Sequence, residues 1–478
     1  MNITYLIGNG FDVNIGLKSR YADFYEAYAK IHSDDEADVI KRFKVGINDY
    51  IKKESHKDDL QTIDWRDLEV ALGQFTDHMD EKEAEVLYLD VNDRLKEYLI
   101  DEFKYFDAEA FSRNSFYSHL ADPITSHFNR VTANGIKNFC LSYSGDDFYN
   151  VINFNYTRTI EKLADYHGKR MPIGHDFTGR LAYLDTVCHI HQTLEDDEII
   201  IGVNDVTQIS NKKFHENRLL SNMYIKPNTN RLLGSGVNTD CETIIANTNL
   251  FVIYGTSAGI TDQHWWRLVC KRVINSNARL IYFVHQIEKR QHLNLYIEEM
   301  KQEEVCKLLE HAGLDAKQVL DSIIDKCYVS FSDKMFNMPI TYNNRIKQEK
   351  TYKIGTSEVS MKVLDMGMRY IAVSVDTTAE DAGVPSEGMW LKEFFPNFTH
   401  NSQHLLTPKI GDKEIPFDFI PIHNDENKKD IYFEISSFLG KNKNSSLLKP
   451  VKSDIKQKAL REVMKKYIKK YKASVLSP

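Results

Sequence analysis

Four short segments of the chain combine glycines or small polar residues with side chains that can hold a ligand or move a proton. The first, Gly8-Asn9-Gly10-Phe11-Asp12, follows an apolar run at residues 3–7. Glycines in this position let backbone amides approach a phosphate closely, so the segment is typical of a nucleotide site or of a plain tight turn. It lacks the third glycine of the dehydrogenase fingerprint and the Gly-Lys-Ser/Thr of a P-loop.

The second segment, Phe154-Asn155-Tyr156-Thr157, ends another apolar run. The carboxamide of Asn155 can hydrogen-bond a ribose hydroxyl or a water molecule without carrying charge. An asparagine at a strand end equally often begins a turn or caps a helix, and both interpretations stay open here.

The third segment, Cys188-His189-Ile190-His191-Gln192, places two histidines on the same side of a predicted strand. Histidine is the side chain best suited to exchange a proton near neutral pH, so we interpret His191 as a general base. A core histidine and a metal ligand are the alternatives. No Cys, Asp or Glu at ligand spacing completes a metal site, so no metal is expected.

The fourth segment, Gly255-Thr256-Ser257, also ends an apolar run and is followed by a helical pattern. Thr261 has the residue type of a helix N-cap, and Asp262 can reach the same site as the glycine-rich loop. The pair Trp265-Trp266 is expected to pack in the core, because large aromatic residues on amphipathic helices are normally buried.

Near-continuous apolar runs predict the strands that carry these segments. Such runs are typical of strands buried on both faces of a largely parallel sheet, and their alternation with helical patterns indicates an α/β fold. Helical spacing with little glycine or proline from residue 21 to about 145 predicts a large helical insertion over that sheet. The predicted strands cover residues 3–7, 151–154, 187–190, 199–203, 250–254 and 280–284, and helices are predicted at 159–165, 261–273 and 295–312.

The pattern changes near residue 340, where we predict a domain boundary. Residues 1–338 form the first domain, and residues 339–478 form a smaller mixed α+β domain with a sensing or oligomerisation role. It contains strand-like pieces at 362–364 and 370–374 and ends in a helical tail with a basic run at 465–472. This run is interpreted as a solvated helix face, with phosphate contact as the alternative.

Composition limits the classes of partner. A net charge of −8 gives no global basic field, so nucleic acid is not an expected partner. The six cysteines lie far apart in the sequence and form no Cys-x-x-Cys pair, which argues against a disulfide framework and a zinc ribbon. No apolar run approaches the roughly 20 residues of a membrane helix, and the first residues do not read as a secretory leader, so we expect a cytoplasmic protein without a membrane partner.

The opening segment, followed by Gly16-Leu17 and Tyr21-x-x-Phe24, resembles the start of AbiH proteins, a bacterial family of phage abortive infection. Trp65-x-Asp67-Leu68-Glu69 and Phe154–Thr157 resemble later blocks of that family, and the resemblance covers residues 1 to about 335. It implies an antiphage toxin that a phage-derived trigger releases. Self-association of the chain is left open.

The order of the segments is also similar to that of sirtuins, in which a Gly-Ala-Gly loop precedes Gly-Ile-Pro-Asp-Phe-Arg. This similarity implies a Rossmann-like, sirtuin-type core that takes NAD as its substrate and hydrolyses it to nicotinamide and ADP-ribose. Asn155 would match the catalytic asparagine and His191 the histidine of a His-Gly pair, although Gln192 replaces the glycine. The implied NAD contacts are Gly8, Asn9, Gly10, Phe11 and Asp12, then Tyr21, Asp23 and Phe24 on a closing loop, and then Tyr156, Thr157, Gly255, Thr256, Ser257 and Asp262.

Two other activities are weighed against NAD hydrolysis. Protein deacylation, the other sirtuin activity, is not expected because the paired Cys-x-x-Cys motifs of the sirtuin zinc module are missing from the sequence. A non-catalytic nucleotide-binding sensor or interaction module in phage defence is the alternative function.

Overall fold

The structure is a computed structural model that describes residues 1–338, except 34, 53–62, 105, 107, 234, 235, 286–293 and 333, and the backbone of strands beyond residue 345. The chain divides into two compact units. The first comprises Met1–Phe103 and Phe111–Pro339, and the second comprises Lys104–Ala110 and Ile340–Pro478.

A seven-stranded sheet forms the centre of the first unit, in the order β3-β4-β2-β1-β5-β6-β7. All neighbouring strands are parallel except β3 and β4. This confirms the predicted α/β class with a largely parallel sheet. The strands are β1 (Asn2–Ile7), β2 (Asp147–Asn153), β3 (Met171–His175), β4 (Leu181–His189), β5 (Leu250–Tyr254), β6 (Arg279–Phe283) and β7 (Cys327–Ser330).

The strand order reverses direction beside β1. Ile7, the last residue of β1, pairs with Asn153 of β2 on one side and with Tyr254 of β5 on the other. On the first side of β1 lie β2, β4 and then β3 at the edge of the sheet. On the second side lie β5, β6 and β7. Open parallel sheets bind ligands outside the carboxyl ends of their strands at such a switch point.

The predicted helical insertion is present between β1 and β2. Three of its helices, α4, α6 and α7, begin at side chains that cap them. Asp67 Oδ1 accepts hydrogen bonds from the backbone nitrogens of Glu69 and Val70 at the start of α4, and Asn129 caps α7 in the same manner. The helices are α1 (Gly10–Asn14), α2 (Tyr21–Tyr28), α3 (Asp38–Lys52), α4 (Leu68–Phe75), α5 (Glu81–Phe103), α6 (Arg113–Ala121) and α7 (Arg130–Leu141).

Further helices follow β2 and pack around the sheet. Trp265 and Trp266 are buried in the main hydrophobic cluster, as predicted, and Trp266 stacks on Phe154 with ring centroids 4.9 Å apart. In the described parts of the chain, no helix is long and apolar enough to span a membrane. The helices are α8 (Thr159–Ala164), α9 (Arg218–Tyr224), α10 (Lys226–Leu233), α11 (Val237–Asn247), α12 (Gln263–Ile274), α13 (Asn294–His311) and α14 (Ala316–Ile323).

The strand predicted at residues 199–203 is wrong. The segment is buried but makes only an isolated bridge between Val203 and Ile225. Helix α5 supplies side-chain partners for its backbone, because Asn92 donates to the carbonyl of Ile199 and Tyr88 donates to that of Ile201. An apolar run therefore signalled burial here and not a strand.

The second unit contains an antiparallel sheet in the order β11-β14-β15-β10-β9-β8-β16 and a hairpin of β12 and β13. Strands β9 and β10 cover the strand-like pieces predicted at 362–364 and 370–374. The basic run at 465–472 lies outside the described residues. The strands are β8 (Ile346–Ile354), β9 (Ser357–Asp365), β10 (Tyr370–Asp376), β11 (His404–Leu406), β12 (Lys409–Ile410), β13 (Lys413–Glu414), β14 (Phe417–Asn424), β15 (Asp430–Ser437) and β16 (Ser474–Val475).

Candidate functional site

A cavity of about 240 Å³ lies at the carboxyl ends of β4, β2, β1 and β5, and the helical insertion forms part of its wall. Ligand pockets of proteins usually measure about 300–1,000 Å³, so this cavity has room for one part of a dinucleotide. From the insertion it is lined by Ser19, Tyr21, Asp67, Glu69, Leu95 and Leu99.

The structure brings most of the sequence-predicted site residues together in this cavity. They come from four separate segments, and they meet because the ends of neighbouring parallel strands share one edge of the sheet. The predicted residues that line the cavity are Gly8, Asn9, Asp12, Tyr21, Asn155, Tyr156, Thr157, His191, Gly255, Thr256, Ser257 and Asp262.

Two predicted residues on the expected closing loop do not line the cavity. Tyr21, Asp23 and Phe24 lie on helix α2, where the loop was expected. Phe24 faces the core and stacks on Tyr28, with ring centroids 5.2 Å apart. The Asp23 carboxylate accepts a hydrogen bond from the backbone nitrogen of Arg20 and so caps the helix. Of the three residues, only Tyr21, the first residue of the helix, lines the cavity.

Gly10 and Phe11 also lie away from the cavity lining. Phe11 is fully buried, and its ring packs against that of Phe336 at 5.0 Å. The Gly10 nitrogen donates to the carbonyl of Gly255 at 2.6 Å, and a Cβ on Gly10 would lie 2.7 Å from the Gly255 Cα. Gly255 itself has a φ of +70°. Glycine is required at both positions so that the loops after β1 and β5 can touch through their backbones.

Asp12 is a buried carboxyl group in the cavity wall. Thr157 Oγ1 donates to its Oδ2, and Thr159 Oγ1 donates to its Oδ1 at 2.8 Å. Burial raises the pKa of Asp12 to about 6, although these hydrogen bonds and the nearby His189 act to lower it. Asp12 can therefore change its charge close to neutral pH.

Asn155 is held by three neighbouring segments. Its Nδ2 donates to the carbonyl of Gly8 at 3.2 Å, and its backbone nitrogen donates to Asn153 Oδ1 at 3.0 Å. Its own carbonyl accepts a hydrogen bond from His189 Nδ1 at 2.9 Å. These contacts fix the amide in the space between the ends of β1, β2 and β4.

His189 holds the backbone of Asn155 in place through its ring, whose charged form is favoured by its surroundings. Its Nε2 lies 2.8 Å from Glu161 Oε1, and its Nδ1 faces the carbonyl of Asn155, so both ring nitrogens face acceptors. Burial lowers the pKa of His189, but the Glu161 carboxylate and the carbonyl outweigh burial and raise it above its ordinary value. Sequence reasoning singled out His191 and did not identify this pair.

His191 is also locked between two acceptors. Its Nε2 lies 2.9 Å from Asp262 Oδ1, and its Nδ1 lies 3.3 Å from the carbonyl oxygen of Phe154. Burial raises the pKa of Asp262, but Lys226 and His191 lower it far more, so Asp262 is ionised and only accepts. Both nitrogens of His191 therefore face acceptors inside the protein. This geometry favours a positioning role over the predicted general-base role.

Lys226 completes a buried charge network that the sequence did not reveal. Its Nζ lies 2.7 Å from Glu69 Oε2 and 2.8 Å from Asp262 Oδ1. Burial raises the pKa of Glu69, which favours its neutral form, and the nearby Lys226 opposes this shift. Lys226 contacts both carboxyl groups, and His191 contacts that of Asp262. Lysines are seldom fully buried, so no residue pattern marked Lys226 for this position.

Gln192, which stands where a glycine is usual in the sirtuin pattern, has an unusual backbone conformation. Gln192 has a φ of +64°, in the left-handed region that favours glycine. This explains physically why a glycine suits the position after His191. As for metals, the part of the chain that the structure describes contains no group of three or more His, Cys, Asp or Glu residues placed to hold an ion.

A family model described as bacteriophage abortive infection AbiH matches residues 4–284, which is more than half of the chain. The matched region contains all four segments that meet at the cavity. A comparison with curated proteins gave no match.

Proposed function

The chain belongs to the AbiH family of bacteriophage abortive infection proteins, and we propose that it acts in this defence by hydrolysing NAD to nicotinamide and ADP-ribose. One observation carries the proposal: the glycine loop after β1, Asn155 after β2 and the Gly-Thr-Ser loop after β5 meet at one cavity. Numbered without antiparallel β3, the strands have the order 3-2-1-4-5-6. Doubly wound sheets that bind dinucleotides have this order.

The charge of the cavity supports one orientation of the dinucleotide. Four carboxyl groups line it, from Asp12, Asp67, Glu69 and Asp262, and the described lining residues include no lysine or arginine. Phosphates avoid such surroundings, whereas a pyridinium ring and ribose hydroxyls suit them. We therefore place the nicotinamide ribose inside the cavity and the diphosphate toward the loop at Gly8 and Asn9.

The bond to be broken joins C1′ of this ribose to the nicotinamide nitrogen. Its cleavage develops positive charge on the sugar, which nearby carboxylates stabilise. Asn155 Nδ2 is already bonded to the Gly8 carbonyl, so the amide presents its oxygen to a ribose hydroxyl or to water. His191 acts through Asp262, whose carboxylate it holds in place.

The biological consequence follows from the family. An enzyme that consumes NAD deprives an infected cell of a cofactor that phage replication needs, which accords with abortive infection. Such an enzyme is harmful in a healthy cell, so a phage-derived trigger is expected to switch it on. NAD is then the substrate of the protein and not a resident cofactor.

The test is release of nicotinamide from NAD by the purified full-length chain, measured by chromatography with and without lysate of phage-infected cells. We expect Asn155→Ala to abolish release and Asn114→Ala, an exposed asparagine on α6, to leave it unchanged. Release by Asn155→Ala at the parental rate would remove Asn155 from the mechanism. Bound but intact NAD in every condition would instead support the nucleotide-binding sensor.

A further inference from the structure

We infer that Asp12 is the catalytic base that takes a proton from the attacking water. This inference rests on the proposed hydrolysis of NAD and assigns the step that His191 is not arranged to perform. Asp12 lines the cavity beside Asn155, the residue proposed to orient the ribose and the water.

The reaction needs one proton acceptor and no proton donor. When the bond from C1′ to the pyridinium nitrogen breaks, both of its electrons go to that nitrogen, so nicotinamide leaves as a neutral molecule. The water oxygen forms the new bond to C1′ and loses one proton. NAD and water thus give nicotinamide, ADP-ribose and a proton, and the base holds this proton until solvent removes it.

The other carboxyl groups of the cavity are already engaged. Glu69 and Asp262 are paired with Lys226 at 2.7 and 2.8 Å. Asp67 Oδ1 accepts the backbone nitrogens at the start of α4. Burial raises the pKa of Asp67, and the nearby charge of Lys226 acts to lower it. A carboxylate held by a cation is a weak base, because the cation stabilises its ionised form.

Among the described residues, the hydrogen-bond donors to Asp12 are all neutral. Thr157 and Thr159 donate their hydroxyls, and Asn155 donates from its side chain. The charged group that influences it is His189, on β4. A carboxylate offers about four lone-pair positions, so three donors leave one for a water molecule. Its pKa of about 6 supports the assignment, since such a group is ionised at neutral pH and still basic enough to take a proton.

The packing of α1 holds the carboxylate in place. Phe11, the preceding residue, is buried against Phe336 and Tyr254. Asp12 itself is 1% exposed, so bulk water does not weaken its interaction with a bound water molecule. The carboxylate is therefore held in the cavity wall before a substrate arrives, as efficient catalysis requires.

Two variants of the full-length chain test the inference. Asp12→Asn keeps the size of the side chain but is not basic, and we expect it to lower single-turnover nicotinamide release at least about 100-fold. NAD binding, measured by calorimetry, should change only a few-fold. The parental rate should rise with pH and level off above about pH 6, whereas the residual rate of the variant should lack this rise.

Thr159→Val tests Asp12 through its pKa. The valine matches the shape of the buried threonine but removes one donor to Asp12 Oδ1, so the charged carboxylate loses support. The rise of the rate should move to higher pH, while the plateau rate changes little. A residue with only a structural role would not produce this shift.

The outcomes separate the two proposals. If the parental chain cleaves NAD and Asp12→Asn cleaves it equally fast, the role of Asp12 is overturned and the proposed function stands. If Asp12→Asn fails to fold, an unshifted pH profile of Thr159→Val overturns the role. If the parental chain binds NAD and leaves it intact, the hydrolysis and the role of Asp12 fall together.

Discussion

Lys226 Nζ lies 2.7 Å from Glu69 Oε2, in a contact where neither side chain is more than 5% exposed. Glu69 belongs to α4 of the helical insertion, and Lys226 begins α10, which follows β4 in the chain. The same nitrogen contacts Asp262 at the start of α12. One lysine thereby joins the insertion to the loops at the edge of the sheet.

Replacing this lysine should be costly. Lys226→Met leaves the buried carboxyl groups of Glu69 and Asp262 without their lysine partner, and removal of one partner from a buried ion pair typically costs about 3–5 kcal/mol. We expect a clearly lower Tm in calorimetry. Lys213→Met, at an exposed lysine, should change stability by less than about 0.5 kcal/mol. Equal Tm values for the two variants would contradict a structural role for the network.

Asp12 should make stability depend on pH. Its pKa is about 6 in the folded chain and near 4 when unfolded, so the folded state binds the proton more tightly. Stability from this group is complete below about pH 4 and is lost as the pH rises to 6. Asp12→Asn does not titrate, so its stability relative to the parental chain should improve by about 3 kcal/mol over this interval and then stay level.

Thermal unfolding of both proteins at pH 4 to 8 measures this difference directly. Asp101→Asn, at an exposed position on α5, serves as the control and should show no such change. A constant difference between Asp12→Asn and the parental chain across the whole pH range would rule out a raised pKa for Asp12.

His189 predicts a loss of stability in the same direction, at higher pH. Glu161 and the Asn155 carbonyl raise the pKa of His189 despite burial, so its ion pair stabilises the fold fully below about pH 6.5 and loses this effect as the pH rises through the folded pKa. His189→Gln should cost about 1.5–3 kcal/mol at pH 6 and less at pH 9. His167→Gln, at a histidine whose side chain is 82% exposed, is the control for unfolding measurements. A larger cost at pH 9 than at pH 6 would be incompatible with the charged pair.

The contact between the loops after β1 and β5 depends on glycine. Gly10→Ala places a Cβ 2.7 Å from the Gly255 Cα, a backbone atom that cannot turn aside, so we expect a loss of about 1–3 kcal/mol and weaker NAD binding. Gly135→Ala, in helix α7, meets nothing within 4 Å and should add about 0.5–1 kcal/mol. Shifts of Tm in the same direction for both variants would show that the loop contact is not strained.

Much of the fold was accessible from neighbouring residues. Apolar runs predicted the central strands β1, β2, β5 and β6, and the residue types after them marked where each strand ends. Parallel strands place those ends at one edge, so the meeting of Gly8, Asn155 and His191 could be anticipated. The segment 199–203 misled the prediction because hydrophobicity reports burial, and the type of element depends on where its backbone hydrogen bonds go.

The charges and free lone pairs of the site depended on distant residues. Asp12 meets Thr157 across 145 positions of the chain, and Glu69 meets Lys226 across 157. Hydrophobic periodicity and turn residues depend on neighbours in the chain, so strands, helices and turns can be predicted from the sequence. A pKa and a hydrogen-bonding role are set by whichever groups folding brings within a few ångströms. The sequence therefore suggested His191 as a base but could not show that its ring nitrogens face Asp262 and the Phe154 carbonyl.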